Sequence, residues 1–255
     1  MADTNTQDAD DSRGTKRQKM DPPPPRKVQP ELKLYYFNIK GKGESIRLIC
    51  AYGGLKLEDH RFESRCQFLA MKDSSRLSFG QVPMLEVDGK VTMVQSAAIM
   101  RYLGKLTGLY PMDDHILAQK IDAIMDQVSD VFMGSTVLTY GLRYAIDMSP
   151  EAKEKCYGIF NETVLPGHLK RAERVLESSS TGWMAGTTEP SPADFVWYCS
   201  LVNMAAKKEI SDENKSLSGF PKLKAFMGKF ESLEAIKEYY RKEAEAHSDS
   251  DKLRV

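Results

Sequence analysis

Tyr36 stands near the end of a short aromatic run, Leu34 to Phe37, and is followed by Asn38 and a glycine loop that opens at Gly41. A phenol in that place is either a packed strand aromatic with a bonded hydroxyl or a hydrogen-bond donor at the edge of a site, and the residue alone leaves both open. Gln81, Val82 and Pro83 open a second apolar run, where a proline fits because the first residue of a strand need not donate to the ladder. Gln95 and Ser96 precede a helical periodicity, so their backbone amides would be free to receive an anion, and Ser96 would equally serve as a plain cap. Asp122, Asp126 and Asp130 are spaced by four and share one helix face, where each like-charge pair costs about 0.2 to 0.5 kcal/mol; a solvated acidic face is the simple reading. Ser191 and Asp194 have the spacing of a capping box. Cys50, Cys66, Cys156 and Cys199 contain no CxxC pair, which excludes a zinc ribbon and a vicinal dithiol and leaves reduced, mostly buried thiols. His60, His115, His168 and His247 show no metal-ligand spacing, so no metal is expected.

The elements that must position these residues follow from periodicity. Leu34 to Phe37 reads as a strand, Glu44 to Tyr52 as a helix stopped by Gly53 and Gly54, and Leu57 to Phe62 as a second strand. A helix is expected near Gln67 to Ser75. Val82 to Val87 and Val91 to Val94 then pair across Asp88 and Gly89, a hairpin turn, and a helix runs from Gln95 and Ser96 to Gly108. Strand, helix, strand, helix, strand, strand, helix is the order of a thioredoxin-like domain. After Pro111 only helical periods remain. One helix spans about Asp114 to Arg143, and a second starts after Ser149 and Pro150 and reaches Ser179 with a kink at Pro166. A third follows the Ser191 box, and two shorter ones lie near Pro221 to Phe230 and Ser232 to Ala246. The expected fold is α/β plus all-α: a thioredoxin-like N-terminal domain, 31–109, then an all-helical C-terminal domain, 114–246, between tails at 1–30 and 247–255.

Composition bounds the partners. The chain has 255 residues, 41% of them apolar, and 36 basic against 36 acidic side chains, so no overall field would hold a nucleic acid or an anionic membrane. No run approaches the ~20 apolar residues of a membrane helix, and the first residues lack a secretory core. A cytoplasmic location is expected. Residues 1–30 are too polar to offset their ordering entropy and are expected to be disordered, with Pro22 to Pro25 extended. Lys16, Arg17 and Lys19 could form a nuclear import signal, although a solvated tail is the better reading.

The run Lys33, Leu34, Tyr35, Tyr36, Phe37, Asn38, the segment Glu58 to Arg61 and the nearly unbroken stretch Phe79 to Gly89 agree in order and spacing with one family. From Lys33 to about Tyr240 the chain resembles the cytosolic glutathione transferases, and among them the sigma class with its glutathione-dependent prostaglandin D synthases. The resemblance implies conjugation of the glutathione thiolate to hydrophobic electrophiles, with glutathione as cosubstrate; isomerisation of a prostaglandin precursor, or binding without catalysis on the same fold, are the alternatives. It implies that the Tyr36 hydroxyl, rather than that of Tyr35, bonds the sulfur, helped by the N-terminus of the first helix. Val82 would pair with the extended tripeptide beside a cis Pro83. Gln95 and Ser96 would take the γ-glutamyl carboxylate, with Gln81 near the same loop. Lys42 stands where the class has an arginine, and Lys72 is the expected glycyl carboxylate partner in a stretch that lacks the family's tryptophan. A glutaredoxin-like oxidoreductase is disfavoured because no cysteine precedes the first helix. The resemblance further implies a homodimer in which Asp130 reaches the amino group of glutathione in the other subunit. Asp126 matches a cation-binding carboxylate, but Ser129 replaces the third member of that cluster. The electrophile would lie between Ile39 to Gly41 and the far end of the long helix, around Met133, Val137 and Tyr140.

Overall fold

The computed structural model describes residues 29–252, so the readings of the N-terminal tail, its proline run and its basic residues lie outside the described residues. Four strands form one sheet in the order β2-β1-β3-β4, with β1 (Leu32–Phe37) parallel to β2 (Glu58–Phe62) and antiparallel to β3 (Met84–Val87), which in turn pairs antiparallel with β4 (Val91–Val94). Three helices accompany the sheet: α1 (Glu44–Tyr52), α2 (Arg65–Asp73) and α3 (Ser96–Thr107). The thioredoxin-like order read from the sequence is present. β3 starts at Met84 rather than Val82, since the Val82–Pro83 peptide is cis and Pro83 has no N–H to give a ladder. α2 starts two residues earlier than its apolar pattern because the Ser64 hydroxyl accepts the Gln67 N–H at 3.4 Å and caps it.

The rest of the chain is helical. α4 (His115–Tyr140) is capped by the Asp114 side chain and ends in a 3₁₀ turn, Gly141–Tyr144. The second long helix is divided into α5 (Pro150–Ile159) and α6 (Leu165–Glu177) by a π turn, Phe160–Val164. The disturbance expected at Pro166 is thus taken up by the residues before it, where the proline's missing N–H and its ring would break a regular ladder. α7 (Pro192–Ala205), α8 (Asp212–Ser216), α9 (Pro221–Glu231) and α10 (Glu234–Lys252) follow. α8 was not foreseen, and α10 continues to Lys252 instead of ending near 246, so the expected C-terminal tail is largely helix.

The two layers share one core. Leu32, Leu34 and Tyr36 point to the same face of β1 and join Ile46, Ile49, Ile99 and Leu103 in a cluster that runs on into Phe195, Trp197 and Phe230 of the helical layer. The Tyr52 and Phe195 rings meet edge to face at 5.7 Å across the seam of α1 and α7. Tyr35, one residue out of phase, turns to the other face with Phe62, Leu77 and Met84. That alternation follows from the pleat and separates the two tyrosines.

Candidate functional site

The sheet brings its chemistry to one end. Met84 pairs with Tyr35 on one side and with Val94 on the other, so Pro83, Tyr36 and Gln95 are next in line on three neighbouring strands. Val82 follows Pro83 along that edge, half-buried, and its N–H and C=O make no hydrogen bond among the described residues. Gln95 caps α3 with φ +72°, a left-handed backbone that costs a non-glycine residue about 1 kcal/mol or more and persists where surroundings enforce it. Ser96 begins α3, so the free amides of its first turn face the same end. Lys72 lies over Gly80, whose added Cβ would stand 3.1 Å from Lys72 Cε, and this places the lysine beside Gln81. Tyr36, Lys72, Gln81, Val82, Pro83, Gln95 and Ser96 are therefore brought to one region of the fold.

Tyr36 is held by the loop that follows it. The Lys42 backbone N–H donates to the Tyr36 hydroxyl at 2.9 Å, while the Lys42 side chain is exposed. With that oxygen already accepting, the phenolic proton is available to another partner. The loop lies on the ring: a Cβ at Gly41 would stand 2.5 Å from Tyr36 Oη, and one at Gly43 2.5 Å from Tyr36 Cδ1. Only glycine at both positions lets the backbone come so near. Burial, the largest influence, raises the hydroxyl above its ordinary tyrosine pKa, against the donated Lys42 N–H and the nearby Arg47 guanidinium, and Tyr140 adds to the rise. The phenol is consequently a neutral donor at physiological pH.

Two residues that sequence reasoning missed secure this loop. Arg47, 3% exposed, donates to the Ile39 carbonyl at 2.9 Å and to Asp59 at 2.9 Å, and pairs with Glu44 at 3.2 Å. Its signal was an arginine set between Ile46 and Leu48 in the apolar run of α1. Asn203 on α7 donates from Nδ2 to the Gly41 carbonyl at 3.1 Å, a contact over 162 residues with no local signature.

The acidic stripe on α4 divides. Arg101 on α3 donates to Asp122 at 2.6 Å and to Asp126 at 3.0 Å, and the Tyr110 hydroxyl also reaches Asp122. Asp122 and Asp126 therefore share one guanidinium; Asp126 stays exposed, so the reading of a solvated face holds for it and is corrected only for the half-buried Asp122. Asp130 is exposed and has no ion pair among the described residues. No cluster of three or more metal-ligating side chains occurs among the described residues. Likewise, no helix among them is long and apolar enough to cross a membrane.

Residues 32–105 match the family model described as Glutathione S-transferase, N-terminal domain, and residues 140–243 match Glutathione S-transferase, C-terminal domain. The chain is 33% identical to the hematopoietic prostaglandin D synthase of Gallus gallus, over 84% of this chain and 96% of that protein. It is 37% identical to glutathione S-transferase 1 of Ascaris suum, over 82% and 95%. Among solved structures, the prostaglandin synthase D of Nilaparvata lugens superposes with a TM-score of 0.71 at 28% identity, covering 84% of this chain and 98% of that one. A Caenorhabditis elegans glutathione S-transferase gives 0.70 at 29%, with the same coverage. Since the two family models fall in order on the sheet layer and the helical layer, the chain belongs to the glutathione S-transferase family and is a transferase with glutathione as its cosubstrate.

Proposed function

We propose that glutathione binds at the sheet end around Tyr36 and that the Tyr36 hydroxyl stabilises its thiolate for attack on a hydrophobic electrophile. The observation that carries this reading is the buried Tyr36 hydroxyl, which accepts the Lys42 N–H and keeps its own proton to donate, in line with Pro83 and Gln95. A free thiol of this kind has a pKa of about 8.5, so only a few per cent is ionised at neutral pH. A hydrogen bond donated to the anion lowers that pKa, and the N-terminal turns at Gly41–Gly43 and α1 add positive dipole ends.

The remaining residues divide the tripeptide among them. The free edge of Val82, beside Pro83, pairs with its backbone; Gln95, Ser96 and the N-terminus of α3 take the γ-glutamyl carboxylate with Gln81 nearby; and Lys72 and Lys42 serve the glycyl end and the loop. The electrophile lies against Ile39, Met133 and Tyr140, large apolar side chains left more than half exposed. With a chloroaromatic electrophile the sulfur–carbon bond forms, the carbon–chlorine bond breaks, chloride leaves with its electron pair, and the thiol proton has already gone to solvent.

The enzyme is read as sigma-like, cytoplasmic, dimeric and suited to detoxification, with domains at 31–109 and 114–246. Asp130, which has no ion pair among the described residues, reaches the glutathione amino group in the second subunit. A second reading, glutathione-dependent isomerisation, is favoured by the relatives named prostaglandin D synthase. Conjugation of chlorodinitrobenzene, measured with and without glutathione, tests the main reading. Turnover that needs glutathione is expected; absence of turnover with prostaglandin isomerisation intact would favour the second, and absence of both would leave binding alone.

A further inference from the structure

A chain of charges ties the last helix to the loop over Tyr36. Glu243 on α10 accepts from Arg61 Nη2 at 2.6 Å, a contact over 182 residues. Arg61 stands opposite Tyr36 in the β1–β2 ladder, so both side chains leave the sheet on one face. Its Nε donates to Asp59 at 2.6 Å and its Nη1 to Asn38 Oδ1 at 3.4 Å. The same Asp59 carboxylate is held by Arg47, through Nε at 2.9 Å and Nη2 at 3.3 Å. Arg47 also donates to the carbonyls of Ile39 at 2.9 Å and Phe37 at 3.5 Å, which flank Asn38.

A second tie comes from the same face of α10. Tyr240, one helical turn before Glu243, presents its ring to the Lys40 ammonium at 4.8 Å. Between helix and loop lies a cavity of about 330 Å³, with Asn38, Ile39 and Lys40 on one wall and Tyr240, Glu243 and Ala244 on the other. Directed contacts across this gap, rather than close packing, therefore set the spacing of the loop and α10.

The two guanidinium groups compete for one carboxylate, since Asp59 Oδ2 accepts from both. Glu243 draws Arg61 to its other side. Without it, Arg61 would turn more of its five donors on Asp59 and take that carboxylate from Arg47, loosening the hold on the Ile39 carbonyl. Ile39 opens the segment whose Lys42 N–H fixes the Tyr36 hydroxyl.

We propose that Glu243 is a positioning residue for the sulfur chemistry: through Arg61, Asp59 and Arg47 it sets the loop that fixes the Tyr36 phenol. The C-terminal helix thereby tunes thiolate formation from a distance, with Tyr240 and Lys40 steadying the other side of the gap. This rests on the reading that Tyr36 stabilises the thiolate.

Ultraviolet titration of bound glutathione and steady-state kinetics, on wild type, Glu243→Ala, Tyr36→Phe and the double variant, test it. Glu243→Ala should lower kcat for chlorodinitrobenzene by about 2- to 10-fold and raise the bound thiol pKa by up to about one unit, the range for one weakened hydrogen bond. The KM for glutathione should stay nearly unchanged. In the Tyr36→Phe background the same substitution should change neither quantity further, because both act on one interaction. Glu243→Gln keeps one acceptor for Arg61 and should show the same change to a smaller degree, so the test remains if the alanine variant does not fold. A kcat and thiol pKa unchanged by either substitution overturn the proposal, as does an equal loss with and without the Tyr36 hydroxyl. Identical titrations of wild type and Tyr36→Phe contradict the reading at Tyr36 and the positioning with it, whereas a shift in Tyr36→Phe with none at Glu243 contradicts only the positioning.

Discussion

At the scale of single residues, two glycines set where the Tyr36 phenol stands. Gly43 has an ordinary helical backbone, so Gly43→Ala introduces no φ penalty, only a methyl group 2.5 Å from the Tyr36 ring. Overpacking of this kind costs about 1 to 3 kcal/mol. The ring can yield only by moving its hydroxyl away from the Lys42 N–H. Gly43→Ala should therefore lower kcat more than it raises KM for glutathione, which steady-state kinetics would show; unaltered kcat in a folded variant would mean that the loop does not set the phenol's position. The family resemblance, not the strand's alternation, singled out Tyr36 over Tyr35; in the fold Tyr36 shares the core face of β1 with Leu32 and Leu34, and Tyr35 turns to the other face. Arg47 and Asn203 were not legible as residues that hold the loop over Tyr36. Their roles arise from partners that are distant in sequence or are backbone carbonyls, and periodicity carries no information about either.

At the scale of elements, the capping box of α7 is the clearest case of sequence specifying structure. Asp194 is fully buried and accepts three hydrogen bonds: from the Met184 N–H at 2.7 Å, the Ser191 N–H at 2.8 Å and the Ser191 hydroxyl at 2.8 Å. Asp194→Ala strands these donors, and with about 1 to 3 kcal/mol for each buried unsatisfied group the loss should reach at least about 3 kcal/mol. Thermal or urea unfolding measures it, and a loss under 1 kcal/mol would contradict the account. Burial, outweighing the donors, pushes the Asp194 carboxyl up to about 6 from an ordinary value of 3.8. The folded state therefore holds this proton more tightly than the unfolded chain. The resulting contribution is full below pH 3.8 and is lost as pH rises through about 6. Relative to Asp194→Asn, the wild type should gain stability as pH falls from 6 towards 4, and a gap independent of pH would rule this out. Element boundaries were less legible than element types. The hairpin at Asp88 and Gly89 was plain from its turn residues, whereas the π turn at Phe160–Val164 records how a chain accommodates Pro166, which composition does not specify.

For the whole molecule, the two-layer order was readable because each layer has its own hydrophobic period, two in the strands and 3.6 in the helices. How the layers pair was not, since one guanidinium on another helix, that of Arg101, bridges Asp122 and Asp126. That pairing leaves Asp130 as the aspartate of the stripe without an ion pair among the described residues, which is why the proposed contact with a second subunit falls to it. Asp130→Asn should weaken glutathione binding by about tenfold or more, as for loss of a charge-assisted bond, with kcat at saturation nearly unchanged. The protein should sediment as a dimer with or without chelator. A fully active monomer, or an Asp130→Asn variant that binds glutathione as the wild type does, would return Asp130 to a solvated face.

The central claim is that Tyr36 stabilises the glutathione thiolate, and the most direct measurement is the ultraviolet titration of that thiolate in the binary complex, wild type against Tyr36→Phe. In the wild type the bound thiol should ionise below its free value of about 8.5. Removing a hydrogen bond to a charged group, about 1.5 to 3 kcal/mol, should raise the bound pKa by about one to two units and move the rising limb of the rate profile to higher pH with it. Superimposable titrations of the two proteins, both saturated with glutathione, would contradict the claim.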